Sequence, residues 1–461
     1  MAITRRQFLS RAGLATAGSF LGPGLLGNPF IRKALADTIG DRYFVVCNLN
    51  GGNDGLNTVT PISNGTSGGL RGAYEGARGT GSGGLRLPWT SLLSIGNDFH
   101  SQTPLGLHPG LGGLKNLYDL GKVAVIQNCG YPAPNLSHEE SSRKWETGDP
   151  LGTGQGTGWL GRYLAANYVA TDIPAVNIGG TVAGEFSTNA TSILTFWSLG
   201  GFGFPYDYWE DIDDHDTAFS ALYSSASAAS LGIQSYIGNS GLAALEATRD
   251  YADLDGDYTT DRSTWDVQYG AYDTWLAYQL REVAKVIYGV EQNKVDARFF
   301  QVGIGGFDTH ADQGGASGGH ADLMSEIGNA MELFYNDCVD MGVADKLCIV
   351  LWSEFSRRIQ QNANGTDHGS QGPMFVIGGT VDGGIYGNHA NINSGALDDE
   401  GNTVYSQTAT DHHRTTDMRD VYGTLLKHWL GMPDPLAVLP LDGGDPDDYW
   451  TVPNFDMGFL P

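Results

Sequence analysis

Four short apolar runs, each about the length of one buried strand, constrain the fold of this 461-residue chain more than any other feature. They lie at residues 43–47, 122–127, 297–302 and 346–352. Between the last two runs, apolar residues recur at helical spacing over residues 321–339. Strands that alternate with helices predict an α/β fold, with a mostly parallel central sheet flanked by helices.

Residues 203–262 interrupt this alternation with acidic, aromatic and Ala/Ser-rich pieces, which predict an inserted cap region. An amphipathic helix over residues 274–290 then returns the chain to the sheet. Residues 66–87 are rich in Gly and Ser and predict an exposed loop. The Asp-x-Asp-Gly-Asp run at 253–257 resembles part of a calcium loop, although its glycine is misplaced and the distal Glu is missing.

The amino end predicts a signal peptide over residues 1–36. Arg5 and Arg6 precede a mildly apolar, Gly- and Ala-rich stretch, and an Ala-Leu-Ala sequence that ends at Ala36 has the spacing that signal peptidase recognises. We therefore expect export by the twin-arginine pathway to the periplasm or the extracellular space. Residues 37–461 then form the mature chain, in which no segment is expected to span a membrane.

The net charge of the chain restricts the classes of partner that it is expected to bind. It has 26 Lys plus Arg against 52 Asp plus Glu, a net charge of −26. The electrostatic field of such a chain repels polyphosphate backbones, so nucleic acid is not expected as a partner. Divalent cations are a better match for the negative charge. A simple solubility adaptation explains the acidity equally well.

Four cysteines are few for this length, and none shows the C-x-x-C spacing of a metal site. They are Cys47, Cys129, Cys338 and Cys348. Cys47 and Cys129 lie in apolar runs that we expect to form neighbouring core strands. A buried thiol packs there as a small hydrophobic group, so a structural role is predicted for the cysteines.

Polar clusters follow three of the four apolar runs. Their candidate functional residues are Asp54 after the first run, Asp308 and His310 after the third, and Glu354, Arg357, Arg358, Asp367 and His368 after the fourth. The carboxyl ends of parallel strands share one edge of a sheet, where ligands bind. Carboxylates and imidazoles are ligands for divalent ions such as Zn, Mg, Mn or Ca. The pattern predicts a shared metal or anion site at this edge.

Each cluster taken alone also has a structural explanation. Asp54 would support a turn, Asp308 would cap the following helix, the histidines would be hydrogen-bonded in the interior, and the arginines would pair with the acidic surface. The shared site is favoured because unrelated turns would rarely place the same ligand chemistry after three strands.

A helix is predicted to begin at Ser137, in the loop after the second run. Ser137 and Glu140 have the spacing of a capping box, which would explain both residues without catalysis. A serine at a helix amino terminus beside a metal would instead be an activated nucleophile. The adjacent His138 is a candidate base, metal ligand or substrate contact.

Several motifs of the chain resemble a family of secreted bacterial proteins, the domain of unknown function 1501 family, which is placed with the alkaline phosphatase and sulfatase superfamily. The resemblance covers nearly the whole mature chain. The motifs that carry it are Leu-Asn-Gly-Gly-Asn-Asp-Gly-Leu-Asn at 49–57, Gly-Phe-Asp-Thr-His at 306–310, Trp-Ser-Glu-Phe-Ser-Arg-Arg at 352–358, Thr-Asp-His-Gly at 366–369, Pro-Met-Phe-Val at 373–376, and residues 416–429.

The resemblance implies an alkaline-phosphatase-like fold in which two metal ions and a nucleophile at a helix start cleave phosphate or sulfate esters. By position, Asp54, Asp308, Glu354 and His368 are similar to the metal ligands of the superfamily, and Ser137 is similar to the nucleophile.

Two departures from the superfamily pattern concern the second metal. The Asp-x-x-x-His spacing is here Asp308-x-His310, and the adjacent Asp-His pair is replaced by Glu-Phe at 354–355. One histidine ligand is therefore missing. Asp367, His310 or His138 would substitute, or the site would hold one metal or none.

The sequence therefore predicts a secreted, metal-dependent hydrolase of small anionic phosphate or sulfate esters. In this mechanism Ser137 attacks the ester, and Arg357 or Arg358 stabilises the charge that develops. The alternative is a non-catalytic extracellular or envelope protein that keeps the phosphatase-like sheet but binds a partner protein or polymer.

Overall fold

The computed structural model describes most of residues 40–461. The described residues are 40–62, 69–98, 101–152, 156–169, 172–202, 212–227, 232–393, 396, 415–439 and 453–461. The predicted signal peptide at 1–36 lies outside them, as do residues 203–211 and 228–231 of the predicted cap.

Twelve strands occur among the described residues. They are β1 (Tyr43–Leu49), β2 (Val59–Pro61), β3 (Leu93–Asn97), β4 (Pro104–Leu107), β5 (Val123–Gly130), β6 (Ala175–Ile178), β7 (Ile193–Phe196), β8 (Phe299–Ile304), β9 (Leu347–Trp352), β10 (Gly372–Gly378), β11 (Gly384–Tyr386) and β12 (Thr416–Asp417). Nine of them form one sheet in the order β11-β5-β10-β9-β1-β8-β6-β7, with β12 paired to β5. Strands β2, β4 and β3 form a small antiparallel sheet.

The large sheet is mostly parallel, as the sequence predicts. Strand β1 pairs in parallel with both β8 and β9, and β6 pairs in parallel with β8 and β7. Strand β10 is antiparallel to both β5 and β9, so β5 runs in the same direction as β9. The four apolar runs, now β1, β5, β8 and β9, therefore end at one edge of the sheet.

Eleven α-helices occur in the described part of the chain. They are α1 (Gly55–Thr58), α2 (Gly69–Ala77), α3 (Gly112–Asp119), α4 (His138–Thr147), α5 (Trp159–Asn167), α6 (Ile212–Ser227), α7 (Gly232–Asp261), α8 (Ser263–Tyr272), α9 (Trp275–Glu291), α10 (Gly319–Asp340) and α11 (Met418–Thr424). The helices predicted over 274–290 and 321–339 are confirmed as α9 and α10. No described helix has both the length and the apolar character to cross a bilayer.

The sheet separates two hydrophobic cores, because successive side chains of a strand point to opposite faces. In β1, Tyr43, Val45 and Cys47 pack with α3, α9 and α10 on one face. Phe44 and Val46 pack with α4, α5 and α11 on the other. Burial of β1 on both faces explains its continuous apolar run.

Two sequence-based interpretations of surface segments are wrong. The segment predicted as an exposed loop over 66–87 contains α2, whose Leu70 and Tyr74 are buried. The proposed calcium loop lies within the helix α7, where Asp255 pairs with Lys285 at 2.6 Å, so its carboxylates do not surround a common point. Leu254 and Tyr258 of α7 belong to the first core.

All four cysteines are buried thiols rather than disulfides, which agrees with a structural role. Cys47 in β1 and Cys129 in β5 lie in the same sheet, but β9 and β10 separate their strands. The expectation that these strands are neighbours is therefore wrong. It failed because β9 and β10, which both come later in the chain, lie between β1 and β5.

A buried carboxyl group supports the end of β9. Glu185 is 1% exposed, and its Oε1 accepts a hydrogen bond of 3.1 Å from the Trp352 indole. Burial, together with the charge of the nearby Glu146, raises the pKa of Glu185 to about 8. The group therefore stays protonated in the folded protein under conditions that ionise it in the unfolded chain.

This raised pKa predicts a loss of stability as the pH rises. The folded state holds a proton that the unfolded chain releases above its ordinary pKa of 4.5, so the free energy of unfolding should fall between pH 5 and 8. Glu185→Gln should flatten this slope and raise the free energy of unfolding at pH 8 by about 2–4 kcal/mol. Urea unfolding across this pH range measures it, with Glu139→Gln at an exposed site as the control. Equal slopes for the parent and Glu185→Gln would contradict the prediction.

Candidate metal centre

Two glycines after β1 allow three strand ends to pack closely. Gly51 and Gly52 have φ angles of +117° and +79°, which favour glycine. A Cβ on Gly51 would lie 2.5 Å from the backbone nitrogen of Asp308, and one on Gly52 would lie 2.4 Å from the Phe355 ring. The Asn-Gly-Gly-Asn motif thus lets the loops after β8 and β9 reach the end of β1.

Arg357 ties these loops together from inside the protein. Its side chain is fully buried. The guanidinium donates to the carbonyl oxygens of Gly52 at 2.8 Å, Thr366 at 3.0 Å and Phe307 at 2.9 Å, and also to the carbonyl of Gly51. The guanidinium is therefore hydrogen-bonded to protein oxygens, whereas the sequence predicts that it contacts the substrate.

Arg358, the other arginine predicted to contact substrate, is half-buried beside the same loop. Its Nε donates to the carbonyl oxygen of His368 at 3.1 Å, and its backbone N–H donates to the carbonyl oxygen of Asp367 at 3.0 Å. These contacts give Arg358 a part in positioning the loop that carries both residues.

The carboxylate of Asp308 lies at the centre of the site. Its Oδ1 accepts a hydrogen bond of 2.7 Å from Arg357, and the Nε2 atoms of His310 and His368 each lie 3.2 Å from the same oxygen. The Nε2 atom of His138 lies 3.5 Å from Oδ2. Partial burial opposes ionisation, but the hydrogen bond and the positive charge of Arg357 outweigh it and lower the pKa of Asp308 to about 2. This side chain is half exposed, so the centre is open to solvent.

Each of the three histidines is oriented through its other nitrogen. The Nδ1 atom of His138 lies 2.7 Å from Oε1 of Glu354, and that of His310 lies 3.2 Å from Oδ1 of Asp367. The Nδ1 atom of His368 lies 2.7 Å from the carbonyl oxygen of Leu136. An anchored Nδ1 and an outward Nε2 are the usual arrangement of a histidine that binds a metal.

The tautomer of His368 follows from its partner. A carbonyl oxygen only accepts, so Nδ1 of His368 carries the proton and Nε2 carries a lone pair. Burial lowers the pKa of His368, which keeps the ring neutral near pH 7. The Nε2 atom of His310 lies only 2.9 Å away, and the buried Nε2 of His138 has no hydrogen-bond partner among the described residues. A cation bound beside Asp308 would satisfy the nitrogens of His138 and His368.

The distances fit such a cation. Ligand atoms at roughly 2.0–2.2 Å from one ion lie roughly 3 Å apart. Asp308 Oδ1 and the Nε2 atoms of His310 and His368 form a triangle with sides of 2.9, 3.2 and 3.2 Å. The ligand atoms of His138, Asp308 and His368 also lie within 4.8 Å of one another. A ligand set dominated by imidazoles would favour Zn or another transition metal over the predicted alternatives Mg and Ca.

Glu354 and Asp367 lie behind the histidines rather than beside Asp308. Glu354 is fully buried, and its Oε1 also accepts a 2.8 Å hydrogen bond from the backbone N–H of Gly51. Asp367 is exposed and reaches His310. Both were predicted as metal ligands, but in the structure Glu354 orients His138 and Asp367 orients His310.

Asp54 does not join the cluster. Both of its carboxylate oxygens are bound by Arg78, at 2.6 and 2.9 Å, and Gln313 donates to Oδ2 at 2.5 Å. Both partners of this ion pair are completely buried. The predicted first-strand metal ligand is therefore neutralised by an arginine, and the structure assigns it a role in stability.

Ser137 immediately precedes α4 and is exposed. Its side chain makes no capping hydrogen bond, and Glu140 pairs with Arg143 at 2.8 Å, so the capping-box interpretation is wrong. The hydroxyl group has no protein partner among the described residues, and the neighbouring residues Leu136 and His138 both contact the cluster. Ser137 thus adjoins two residues of the cluster in the chain, and its side chain is exposed to solvent.

Four contributors to the site or to the neighbouring Asp54 ion pair were missed in the sequence. They are Arg78, Gln313, the carbonyl of Leu136, and Phe355, whose ring packs against His138 and His368 at centroid distances of 4.8 and 4.6 Å. A signal was present only for Phe355, which lies between two predicted site residues.

Comparison with known proteins gives one family. Residues 248–439 match the model of a family described as protein of unknown function (DUF1501). The match supports the family resemblance of the motifs in this part of the chain. It includes Asp308, His310 and His368 of the cluster but excludes His138 and Asp54. No curated protein matches the chain.

The ion pair of Asp54 predicts a stability defect without loss of metal. Asp54→Asn leaves the Arg78 guanidinium buried without a countercharge, which should lower the free energy of unfolding by about 3–5 kcal/mol. Asp119→Asn, in an exposed pair with Lys115, is the matched control and should change it by about 0.5 kcal/mol or less. Chemical unfolding and metal analysis of the folded protein measure both effects. Loss of metal at unchanged stability would instead identify Asp54 as a ligand.

Proposed function

We propose that this chain is a metal-dependent hydrolase of phosphate or sulfate esters, with one divalent transition metal held by His138, Asp308, His310 and His368. The alkaline-phosphatase-like character of the fold and export through the twin-arginine pathway are part of this proposal. The export proposal depends on the sequence of residues 1–36 alone.

One observation carries the proposal. Three histidines present Nε2 to a single carboxylate while an oxygen atom anchors each Nδ1. When Asp367 holds the proton of a neutral His310 on Nδ1, the Nε2 atoms of His310 and His368 face each other at 2.9 Å with two lone pairs, and a shared cation would relieve this repulsion. A metal-binding role explains the convergence, the anchoring and the unpartnered Nε2 of His138 together.

The open position of the centre supports hydrolysis rather than a purely structural metal. Asp308 is 50% exposed and His310 is 47% exposed, so a substrate oxygen has access to the ligands. Structural zinc sites are typically closed by four protein ligands and shielded from solvent. A bound divalent ion would supply the positive charge that polarises an ester oxygen and lowers the pKa of a hydroxyl group.

The residues of the chain have separate tasks in this proposal. Ser137 gives its proton to water and attacks the phosphorus or sulfur atom, and the P–O or S–O bond to the alcohol breaks as the alcohol oxygen takes a proton from water. A second water then cleaves the serine ester, which releases phosphate or sulfate and restores the hydroxyl group. The position of Ser137 at the start of α4 places its alkoxide near the positive end of the helix dipole. Glu354 holds His138 in its metal-binding orientation. Arg357 holds Asp308 and the loops around it, so it acts as a positioning residue.

A non-catalytic protein that binds a partner or polymer is the second candidate. The observation in its favour is that Arg357 is fully engaged with protein oxygens, whereas an esterase of this kind would gain from an arginine directed at the substrate anion. Metal content alone does not separate the two candidates, but turnover does.

The metal centre predicts specific losses of bound metal. His368→Ala should abolish stoichiometric binding of zinc or manganese, because it removes one of the proposed metal ligands. Glu354→Gln should weaken the affinity about 10- to 100-fold, since it disturbs the orientation of His138. His428→Ala, at a histidine bound to Asp456 near the carboxyl terminus, is the control and should retain the metal. Elemental analysis and competition with a chelator measure these effects; equal metal content in His368→Ala and the parent would remove the proposed centre.

The hydrolytic step predicts a defect that leaves the metal in place. Ser137→Ala should reduce kcat for p-nitrophenyl phosphate or p-nitrophenyl sulfate by at least about 10³-fold, because the nucleophile is lost. Ser142→Ala, in the same helix, should retain both activity and metal. If the metal-loaded parent cleaves neither ester, the non-catalytic candidate is favoured.

A further inference from the structure

A second polar cavity lies at the same edge of the sheet as the metal centre. It lies between the end of β5, the start of β10 and the turn after β1, and has about 390 Å³ of space, including the part that opens to solvent. Gln127, Ser356 and His389 contribute polar groups to its wall, and Leu56 and Pro373 contribute apolar surface. The proposed hydrolytic mechanism uses none of these side chains.

An unpartnered acceptor in this wall points to a ligand. Gln127 is 2% exposed, and its Nε2 donates to Oδ1 of Asp98 at 3.2 Å. Backbone and side-chain hydrogen bonds outweigh the effect of burial and lower the pKa of Asp98, so this carboxylate only accepts and the amide orientation of Gln127 is set. Oε1 of Gln127 then has no hydrogen-bond partner among the described residues. A buried carbonyl oxygen of this kind requires a donor, which a hydroxyl group of a ligand supplies.

The charge of the wall excludes an ionic ligand. Arg357 is the one charged side chain among the described residues that line the cavity, and its donors are already bonded to protein oxygens. Burial lowers the pKa of His389, so its ring is neutral near pH 7. A ligand with hydroxyl groups along one edge and C–H groups on its faces matches the combination of Gln127 with Leu56 and Pro373. The net charge of −26 also disfavours a polyanionic ligand.

The cavity and the metal centre share a wall. Arg357 lines the cavity and donates a 2.7 Å hydrogen bond to Asp308 on its other side. We propose that the cavity binds the hydroxyl-bearing edge of an uncharged sugar ring. Its role as the site for the alcohol part of the ester rests on the proposed function, which would make the substrate a phosphate or sulfate ester of a sugar. Binding of the sugar itself does not depend on that function.

The test measures binding of free monosaccharides to the full mature chain. D-glucose, D-galactose and N-acetyl-D-glucosamine are the probes, and N-acetylglycinamide is a neutral amide for comparison. We expect at least one sugar to bind with a dissociation constant on the order of millimolar, as is usual for so small a ligand. Ligand-observed NMR or calorimetry detects binding in this range.

Two variants test the location. Gln127→Met removes the acceptor at nearly constant volume, and Ala390→Leu fills the cavity without changing a polar group. Each should weaken sugar binding at least about tenfold, or about 1.4 kcal/mol. Gln292→Met, the same substitution at an exposed residue, and His368→Ala, in the metal centre, should both bind the sugar as the parent does. Thermal unfolding shows which variants are folded, and one folded cavity variant is enough to test the location of the site.

The outcomes separate this inference from the proposed function. Absence of binding by every sugar overturns it, as does binding that is unchanged in the folded cavity variants. Binding of the amide alone, or loss of sugar binding in His368→Ala, also overturns it. Sugar binding that survives in a protein without ester hydrolysis supports the inference and removes only the catalytic proposal.

Discussion

The site depends on the buried guanidinium of Arg357. A cation inside a protein is tolerated only when its donors are paired, and those of Arg357 reach oxygens on three separate loops. This requirement holds the turn after β1 against the loops that follow β8 and β9. It also sets the position of the Asp308 carboxylate, around which the histidines gather. Loss of Arg357 would therefore disturb the whole arrangement rather than a single contact.

Asp54 and Asp308 show how local surroundings give similar residues different roles. Both follow a parallel strand at the same edge of the sheet. Asp54 is completely buried and bound by Arg78 through both oxygens, so its charge is neutralised within the protein. Asp308 is half exposed; its Oδ1 accepts from Arg357 and also faces His310 and His368, and its Oδ2 faces His138. The centre therefore differs from the ligand set that the family resemblance implies.

Much of the fold could be predicted because it depends on local patterns. A strand buried on both faces needs a continuous apolar run, and a helix against a sheet needs apolar residues at its own period. Strands β1, β5, β8 and β9 and helices α9 and α10 were found in this way. The segment over 66–87 was mistaken for a loop because its glycines obscured the few apolar residues of α2. The antiparallel position of β10 between β5 and β9 was not predicted, because strand order and direction depend on contacts between residues that are distant in the chain.

The sequence alone determined the α/β class, the edge at which polar residues collect and the residue types that gather there. Parallel strands bring their carboxyl ends together whatever the intervening helices contain, so Asp308, His310 and His368 could be expected near one another. Only the tertiary structure decided which of the candidates meet. Arg78 binds Asp54 from a distant helix end, and Glu354 turns His138 toward Asp308. Such pairings depend on side-chain distances of a few ångströms between segments far apart in the chain, which no spacing along the sequence records.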